Sequence, residues 1–527
     1  MDTGMESEGR DVQAVSKWII AITVMLPTLI EIIDTSVVNV SLDHIRGSLS
    51  AGIDEATWTI TSYLVSNAII IPMTGWFTRK FGRKSYLMFS VTLFTAASLM
   101  CGMAWNLQSL VFFRVLQGIG GGALQPLSQS ILLETFPRRQ HGMAMALFGA
   151  GIMFGPIAGP VLGGWITDNW TWHWIFFINV PIGIISIFMV YMFITDPSYV
   201  RQRGIGIDYM GILLLTVGVG SLQVVLDKGQ RADWFASGYI TALAAVAGVA
   251  IVLFLVNELV VEHPILNLRA FRDVTFSSGN LVMFFTFFNL FGSIVLLPIF
   301  VQKMMGYDAT LAGMVLGPGA LTTLVAMPIA GRLDTKVDRK ALLTLGIITS
   351  AFAWHLMSRF NLYADFFTIL RARAVLGFGL GFLFVPLTTM TMSHIRREDM
   401  GNATAIFNFL RNLGGGAGVA YVMTRLARGT QTHQALMVAR LTPFGRNYQI
   451  AFGRMARVIG YSGAFGHALA GRAAAARLYA ELSRQAAMLA YSGAFRQLSI
   501  FMIFILPLVF LMRKAMRGTP AENREHL

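Results

Sequence analysis

The chain has 527 residues, of which 55% are hydrophobic and only 13% are charged, and its formal net charge is +14. Soluble chains carry charged residues at about 25% of positions, so this composition excludes an ordinary water-soluble globular protein. The single cysteine, Cys101, excludes an intramolecular disulfide.

Apolar segments follow one another along most of the chain, and a run of about 20 apolar residues is long enough to cross a bilayer as a helix. The first 17 residues are polar and lack the basic start and cleavage site of a signal peptide, so we expect the first span to remain as an anchor. We predict fourteen spans, near residues 18–40, 56–76, 85–104, 110–133, 142–166, 174–195, 209–227, 236–258, 277–301, 309–331, 341–358, 366–392, 402–424 and 497–513.

The short loops predict the orientation of these spans. Basic residues follow the second, fourth, sixth, tenth and twelfth spans, whereas the loops at 105–109 and 167–173 contain no lysine or arginine. Short loops rich in lysine and arginine stay in the cytoplasm. We therefore expect a multi-pass membrane protein with both termini in the cytoplasm.

The segment 425–496 differs from the other loops because it is long and strongly basic. It contains ten arginines and one acidic residue, Glu481, and the orientation predicts that it lies outside the cytoplasm. Its alanine-rich stretch favours helix. Two interpretations stay open, a solvated helical hairpin and a docking site for an external partner.

Two patterns recur at a nearly constant offset and indicate a duplicated unit. The pattern G-x6-GRK at 75–84 is matched 256 residues later by G-x6-DRK at 331–340, and the glycine-rich stretch 118–126 is matched by 377–386. Such internal repeats are typical of transporters built from two similar bundles. The predicted fold is an all-α membrane protein with two pseudo-symmetric six-helix bundles and two inserted helices, divided into an N-terminal segment 1–17, a first bundle 18–200, an inserted pair 201–265 and a second bundle 266–527 that contains the loop 425–496.

Charged side chains within the spans are candidate functional residues, because a charge inside the bilayer costs at least ~2.5 kcal/mol on insertion scales. Asp34 lies within the first span, and Glu31 precedes it by three residues on the same helical face. Buried carboxyl groups can load and release protons, so we predict proton coupling at both. Arg114 of the fourth span stays charged and would hold Asp34 deprotonated. The alternatives are a structural ion pair or a helix-end contact for Asp34, and a hydrogen-bonding strut between the first and fourth spans for Arg114.

The glycine-rich run at 155–164 predicts a gating helix. It lacks the Lys-Ser/Thr ending of a phosphate-binding loop and lies in an apolar span. Glycines let a helix press against its neighbour, and prolines bend it. The predicted gating positions, for which simple tight packing is the alternative, are Gly155, Pro156, Gly159, Pro160 and Gly163.

The 29 methionines and 39 phenylalanines suit an adaptable apolar pocket, although most such residues face lipid or other helices. Arg371 and Arg373 lie near the start of the twelfth span, where their charged ends could reach the membrane surface. The predicted substrate pocket consists of Asn39, Gln117, Phe284, Phe288 and Arg411.

Together these motifs resemble the fourteen-span drug:proton antiporters of the major facilitator superfamily, and among them the EmrB-like multidrug exporters. The resemblance covers nearly the whole chain, weakens in 425–496, and rests on residues 33–40, 75–84, 114–118, 155–164, 174–183, 220–223 and 408–411. It implies a bacterial inner-membrane antiporter that exports hydrophobic drugs by alternating access. It also implies a periplasmic membrane-fusion adaptor (EmrA-like) and an outer-membrane channel (TolC-like) as partners in a tripartite efflux pump.

The resemblance assigns Gly75, Gly82, Arg83 and Lys84 to the cytoplasmic signature loop. The family usually has aspartate where this chain has Arg79, so we expect another acid to close the inner gate.

The chain contains no ATP-binding loop, which leaves the proton gradient as energy source and predicts no cofactor. An importer or facilitator of a small organic solute on the same fold is the alternative function. The chain also contains no His-Glu-x-x-His or Gly-x-Ser-x-Gly motif, which argues against an enzyme.

Overall fold

The computed structural model describes residues 16–197, 199–200, 204, 206–442, 444–461 and 467–513. The predicted segment 1–17 lies outside these residues except for its last two positions, and so does the C-terminal stretch 514–527. The first part of the chain folds into α1 (Lys17–Ser48), α2 (Ile53–Ala56), α3 (Trp58–Phe81), α4 (Arg83–Gly102), α5 (Leu107–Gly121), α6 (Leu124–Thr135), α7 (His141–Asn169), α8 (Trp174–Phe177) and α9 (Asn179–Phe193).

The remainder of the described chain is also helical. The inserted pair consists of α10 (Tyr209–Lys228) and α11 (Gly238–Val260). The second bundle comprises α12 (Val274–Met305), α13 (Ala309–Met314), α14 (Gly317–Leu333), α15 (Arg339–Ser358), α16 (Phe366–Thr391), α17 (Met400–Arg440), α18 (Arg446–Tyr461), α19 (His467–Phe504) and α20 (Leu506–Leu511).

Helices occupy all fourteen predicted spans within the described residues. Twelve segments are long and apolar enough to cross a membrane. The other two expected spans are α7 and α17, helices of 29 and 41 residues. Helix α17 carries asparagines and an arginine that lie at the contact between the bundles, which lowers its hydropathy.

Aspartate residues cap the N-terminal ends of several helices. They accept hydrogen bonds from backbone N–H groups of the first turn, which would otherwise lack partners. These caps are Asp208, Asp273, Asp308, Asp338 and Asp365, at the starts of α10, α12, α13, α15 and α16.

Equivalent glycines pack equivalent helices in the two bundles. A Cβ added to Gly120 would lie 2.6 Å from the backbone nitrogen of Phe94, which brings α5 against α4. A Cβ added to Gly379 would lie 2.8 Å from the backbone nitrogen of Ser350, which brings α16 against α15. The sequence repeat is therefore a repeat of helix packing.

The signature loop joins α3 to α4. Gly82 adopts φ of +89°, a conformation that residues other than glycine rarely adopt. Arg83 donates to Glu134 at the end of α6 at 2.5 Å, and the backbone N–H of Lys84 donates to Asp196 at 2.7 Å. The loop thus ties α3 and α4 to the ends of α6 and α9.

The end of the molecule that carries this loop and its repeat at 331–340 is called here the basic end, and the bundles are closed against each other there. A Cβ added to Gly75 of α3 would lie 2.8 Å from the Cα of Asn402 in α17. A Cβ added to Gly331 of α14 would lie 2.7 Å from the carbonyl oxygen of Gly142 in α7. Backbone approaches this close leave no room for a passage between the bundles.

Asp334 is a buried acid at this closed end. Its carboxylate lies beside Gly142 in the first turn of α7, where the helix dipole favours negative charge. Arg339 and Thr389 donate to it at 3.1 and 2.9 Å. Burial raises the pKa of Asp334 above its usual range, and the Arg339 guanidinium opposes that change. Arg79 instead donates to the carbonyl of Pro264 at 3.0 Å.

The inserted pair lies along the junction between α3 and α17. Its exit loop reaches the second bundle, where the backbone N–H of Asn267 donates to the side chain of Asn402 at 3.0 Å. At the opposite end, Trp234 donates to Thr424 of α17 at 2.9 Å, and Asp227 accepts from Thr61 of α3. The pair therefore contacts both bundles at both ends.

The segment 425–496 forms a helical hairpin in its described residues. Helix α17 continues to Arg440, α19 returns, and α18 packs on α19 through Ile459 and Ala474. Gln434 of α17 donates to Tyr479 of α19 at 2.6 Å. This geometry agrees with the hairpin interpretation and leaves the docking interpretation open.

We predict that Gly331→Leu opens the basic end, because the new side chain would overlap the backbone of Gly142. The measurement is the rate of maleimide labelling of a cysteine placed at buried Met145, with Cys101 replaced by alanine, in membrane vesicles of both orientations. Labelling from the basic end should accelerate severalfold. Gly248→Leu is the matched control, because a Cβ there meets nothing within 4 Å. Equal labelling rates in the two variants would contradict the prediction.

Candidate transport site

Asp34 lies inside the first bundle and is fully buried. Arg114 Nη1 donates to Asp34 Oδ2 at 2.6 Å, and the amides of Gln117 and Asn179 donate to Oδ1 at 2.9 and 2.8 Å. Two neutral donors and one cation therefore satisfy the carboxylate. The predicted association of Asp34 with Arg114 is present in the structure.

Arg114 is held from several sides. Its Nε donates to the carbonyl of Thr59 at 3.0 Å, and its Nη1 also donates to Gln117 Oε1 at 2.8 Å. The guanidinium carbon lies 4.2 Å from the ring centroid of Tyr63, a cation–π contact. Desolvating an ion pair is costly, and these additional contacts offset that cost. The Asp34–Arg114 pair is consequently a rigid element.

Glu31 lies closer to the second bundle and has different partners. Tyr63 and Asn67 donate to its Oε1 at 3.0 and 3.3 Å, and Gln125 donates to Oε2 at 2.5 Å. Among the described residues no ion pair involves Glu31. The direct partners of the Glu31 carboxylate are thus neutral donors, and Arg411 acts on it from a greater distance, whereas the Asp34 carboxylate is bonded directly to a cation.

A hydrogen-bond chain crosses from Glu31 to the second bundle. The amide of Gln125 in α6 accepts from Arg411 of α17 through its Oε1. One turn later on α6 and one turn earlier on α17, Asn408 donates to Gln129 Oε1 at 2.5 Å. The Arg411 guanidinium lies over the ring of Phe287 at 5.3 Å, and its buried Nη1 has no partner. Glu31 is thus linked to α17 through Gln125, and also through Asn67, which accepts from Asn412 of α17 at 3.4 Å.

The predicted gating glycines pack α7 against α1. Cβ atoms added to Gly155 and Gly159 would overlap Ile32 and Ser36, the residues that flank Asp34 on α1. A Cβ added to Gly163 would lie 3.1 Å from Val37. The side chains of Pro156 and Pro160 lie outside the described part of the structure.

The predicted pocket residues do not lie together. Gln117 belongs to the Asp34 cluster, and Asn39 is exposed on α1. Phe284 and Phe288 contact each other on α12, with ring centroids 6.4 Å apart, but lie away from the Asp34 cluster. Phe288 packs with Tyr421, and Phe284 lines a groove on the side of α12. Of the five, only Arg411 reaches the Glu31 network.

Sequence analysis did not assign several residues of this hydrogen-bond network to the site, although their polar character inside apolar spans was a signal for them. They are hydroxyl and amide side chains inside apolar spans, and all of them are buried or half-buried: Tyr63, Asn67, Gln125, Gln129, Asn179 and Asn408. Residue type alone does not show which of the many such side chains converge on a carboxylate.

An apolar cavity of about 200 Å³ lies between the inserted pair and α17. Its walls are apolar throughout and include Leu214, Phe254, Phe409 and Leu413. Among the described residues, no group of three or more His, Cys, Asp or Glu side chains could hold a metal ion.

Comparison with known proteins agrees with this architecture. The chain is 37% identical over 425 residues to the fatty acid resistance protein FarB of Neisseria gonorrhoeae, covering 81% of this chain and 84% of FarB. It is 37% identical over 439 residues to the multidrug export protein EmrB of Escherichia coli K12, covering 83% and 85%. The human organic anion transporter MFSD10 shares the fold, with a TM-score of 0.61 at 11% identity over 94% of this chain and 99% of that one.

Residues 24–419 match the sequence profile of the family described as the Major Facilitator Superfamily. The two similar helical bundles of the structure agree with this match. This chain belongs to the Major Facilitator Superfamily, and it has that family's all-helical fold.

Proposed function

We propose that this protein is a proton-coupled antiporter that exports hydrophobic small molecules across the bacterial inner membrane. Relatives that cover more than four fifths of the chain are named for multidrug export and fatty acid resistance. The observation that carries the proposal is a buried carboxyl group, Glu31, joined by Gln125 to Arg411 of the other bundle. The amide of Gln125 then joins the proton-binding group to the contact between the bundles.

The basic end lies in the cytoplasm in this proposal, because short loops rich in lysine and arginine are retained there. Both termini are then cytoplasmic, and the hairpin of α17, α18 and α19 projects into the periplasm. Closure at the basic end then separates the transport site from the cytoplasm.

Protonation of Glu31 is the step that changes the gate. The ionised carboxylate accepts from the Gln125 amide nitrogen, which leaves the amide oxygen directed at Arg411. A protonated Glu31 becomes a donor and favours the opposite orientation of the Gln125 amide. That orientation removes the acceptor of Arg411 and weakens the contact between the bundles.

The Asp34–Arg114 pair has a positioning role in this mechanism. Arg114 stacks on Tyr63, and the Tyr63 hydroxyl donates to Glu31. The pair therefore fixes one of the donors around the proton-binding carboxyl group. Each proton that crosses the membrane potential supplies about 2.3 kcal/mol per 100 mV, without ATP or another cofactor.

A tripartite pump is the assembly we propose, with a periplasmic adaptor and an outer-membrane channel as partners. Helix α17 continues 16 residues beyond Thr424, a rise of about 24 Å. The hairpin exposes Arg454 and Arg457 together with Val458, a mixture of charge and apolar surface that suits a protein partner.

We predict that Glu31→Gln abolishes proton-driven export while substrate binding persists, because glutamine keeps the shape of the side chain but takes up no proton. The measurements are substrate flux driven by a pH gradient in proteoliposomes, and proton release on substrate addition in detergent. Asp43→Asn is the control, since Asp43 is an exposed acid on the same helix. Proton release by Glu31→Gln equal to that of the unmodified protein would rule out this assignment.

We predict that Asp34→Asn lowers stability by about 3–5 kcal/mol, because it leaves the Arg114 charge buried without a counter-charge. Thermal unfolding in detergent measures the loss. The double variant Asp34→Asn with Arg114→Gln should recover most of it, since no charge then remains. A single variant as stable as the unmodified protein would show that the pair has no structural role.

A further inference from the structure

The second bundle contains a counterpart of the Asp34–Arg114 pair in which the acid is absent. Arg373 Nη1 donates to Ser293 Oγ at 3.2 Å, and these two residues are 80 positions apart, as are Asp34 and Arg114. Each lies 259 positions after its counterpart, from 34 to 293 and from 114 to 373. Serine therefore stands where the first bundle has its aspartate.

Arg373 is buried and has no counter-charge among the described residues. It is 6% exposed, so its charged end does not reach the membrane surface as sequence analysis suggested. Its buried Nε has no hydrogen-bond partner, and no ion pair of the described chain involves it. A buried charge without a partner is costly, and residues that bear such a cost inside a membrane are commonly functional.

A second positive group lies beside Arg373. The helix is interrupted by a turn between the end of α13 at Met314 and the start of α14 at Gly317. A Cβ added to Gly319, in the first turn of α14, would lie 3.0 Å from Arg373 Nε. The N-terminus of a 17-residue helix carries partial positive charge and attracts anions. Guanidinium and helix terminus therefore favour an anion at the same place.

We infer that Arg373, Ser293 and the N-terminus of α14 bind the carboxylate of an otherwise apolar molecule. A planar guanidinium matches a carboxylate, and one buried cation balances one negative charge. Arg373 lies seven residues inside α16, about 10 Å from its start, and its neighbours Ile369, Ala372 and Leu376 are buried and apolar. Only the head of the ligand is polar in such surroundings.

This inference specifies a substrate class, the carboxylic acids with a long apolar body, and it rests on the proposed export function for its biological meaning. In the described state the guanidinium is enclosed by α12, α14 and α16. Binding requires α14 to move away from α16, and the break before Gly317 supplies the hinge. Exported acids would then meet Arg373 in the second bundle, while the proton acts at Glu31 in the first.

The test is equilibrium binding of radiolabelled dodecanoate, with dodecan-1-ol as its neutral analogue, to the full chain in phosphatidylcholine nanodiscs. Arg373→Gln should weaken dodecanoate binding at least about tenfold and leave dodecan-1-ol binding unchanged. Ser293→Asp should do the same, because it recreates beside Arg373 the acid that Asp34 supplies in the first bundle. Arg371→Gln is the matched control, since Arg371 is an exposed arginine on the same helix.

Dodecanoate binding within twofold of the unmodified protein in both Arg373→Gln and Ser293→Asp would overturn the inference. Equal losses for dodecanoate and dodecan-1-ol would also overturn it, because they indicate general damage to the pocket. Displacement of dodecanoate by chloride at equal concentration would assign the site to an inorganic anion instead, which again contradicts the inference.

Transport in proteoliposomes separates this inference from the proposed function. Arg373→Gln should lose dodecanoate flux and keep the flux of a lipophilic cation driven by a pH gradient. If the unmodified protein moves neither compound, the export proposal fails while the binding result stands. If Arg373→Gln moves dodecanoate as fast as the unmodified protein does, the inferred substrate class is wrong.

Discussion

The cost of placing charge inside an apolar bundle governs the arrangement of this protein. Asp34 and Arg114 tolerate burial because each is the other's counter-charge, and because amide and carbonyl groups complete their hydrogen bonds. Tyr63 is fixed between this pair and Glu31. A carboxylate paired directly with a cation and a carboxyl group held by neutral donors therefore lie side by side in the first bundle.

The two bundles repeat each other in packing but not in charge. Glycines at matching positions bring matching helices together, so the helical framework is symmetric. The polar side chains placed on that framework differ, with the Asp34–Arg114 ion pair in the first bundle and the Ser293–Arg373 hydrogen bond at the matching positions of the second. Duplication thus supplies two similar buried positions, and one of the two residues differs in chemistry between them, aspartate in the first bundle and serine in the second.

Sequence analysis predicted the helical segments and the association of Asp34 with Arg114, because apolar runs and buried charges carry large free energies that few arrangements satisfy. It did not predict the contact between Gln125 and Arg411, which lie 286 positions apart. Burying a neutral amide costs less than burying a charge, so the partners of amide side chains leave a weaker signal in the sequence. Arg373 was misjudged for a geometric reason: distance from a helix end does not reveal which face of the helix points inward.

The inserted pair has a consequence for how the protein meets the lipid around it. Two seams separate the bundles, one between α3 and α17 and the other between α7 and α14. Helix α10 packs on both α3 and α17, so it covers the first seam from the bilayer. A molecule dissolved among the acyl chains consequently meets α10 at the first seam, whereas at the second seam it meets α7 and α14 themselves.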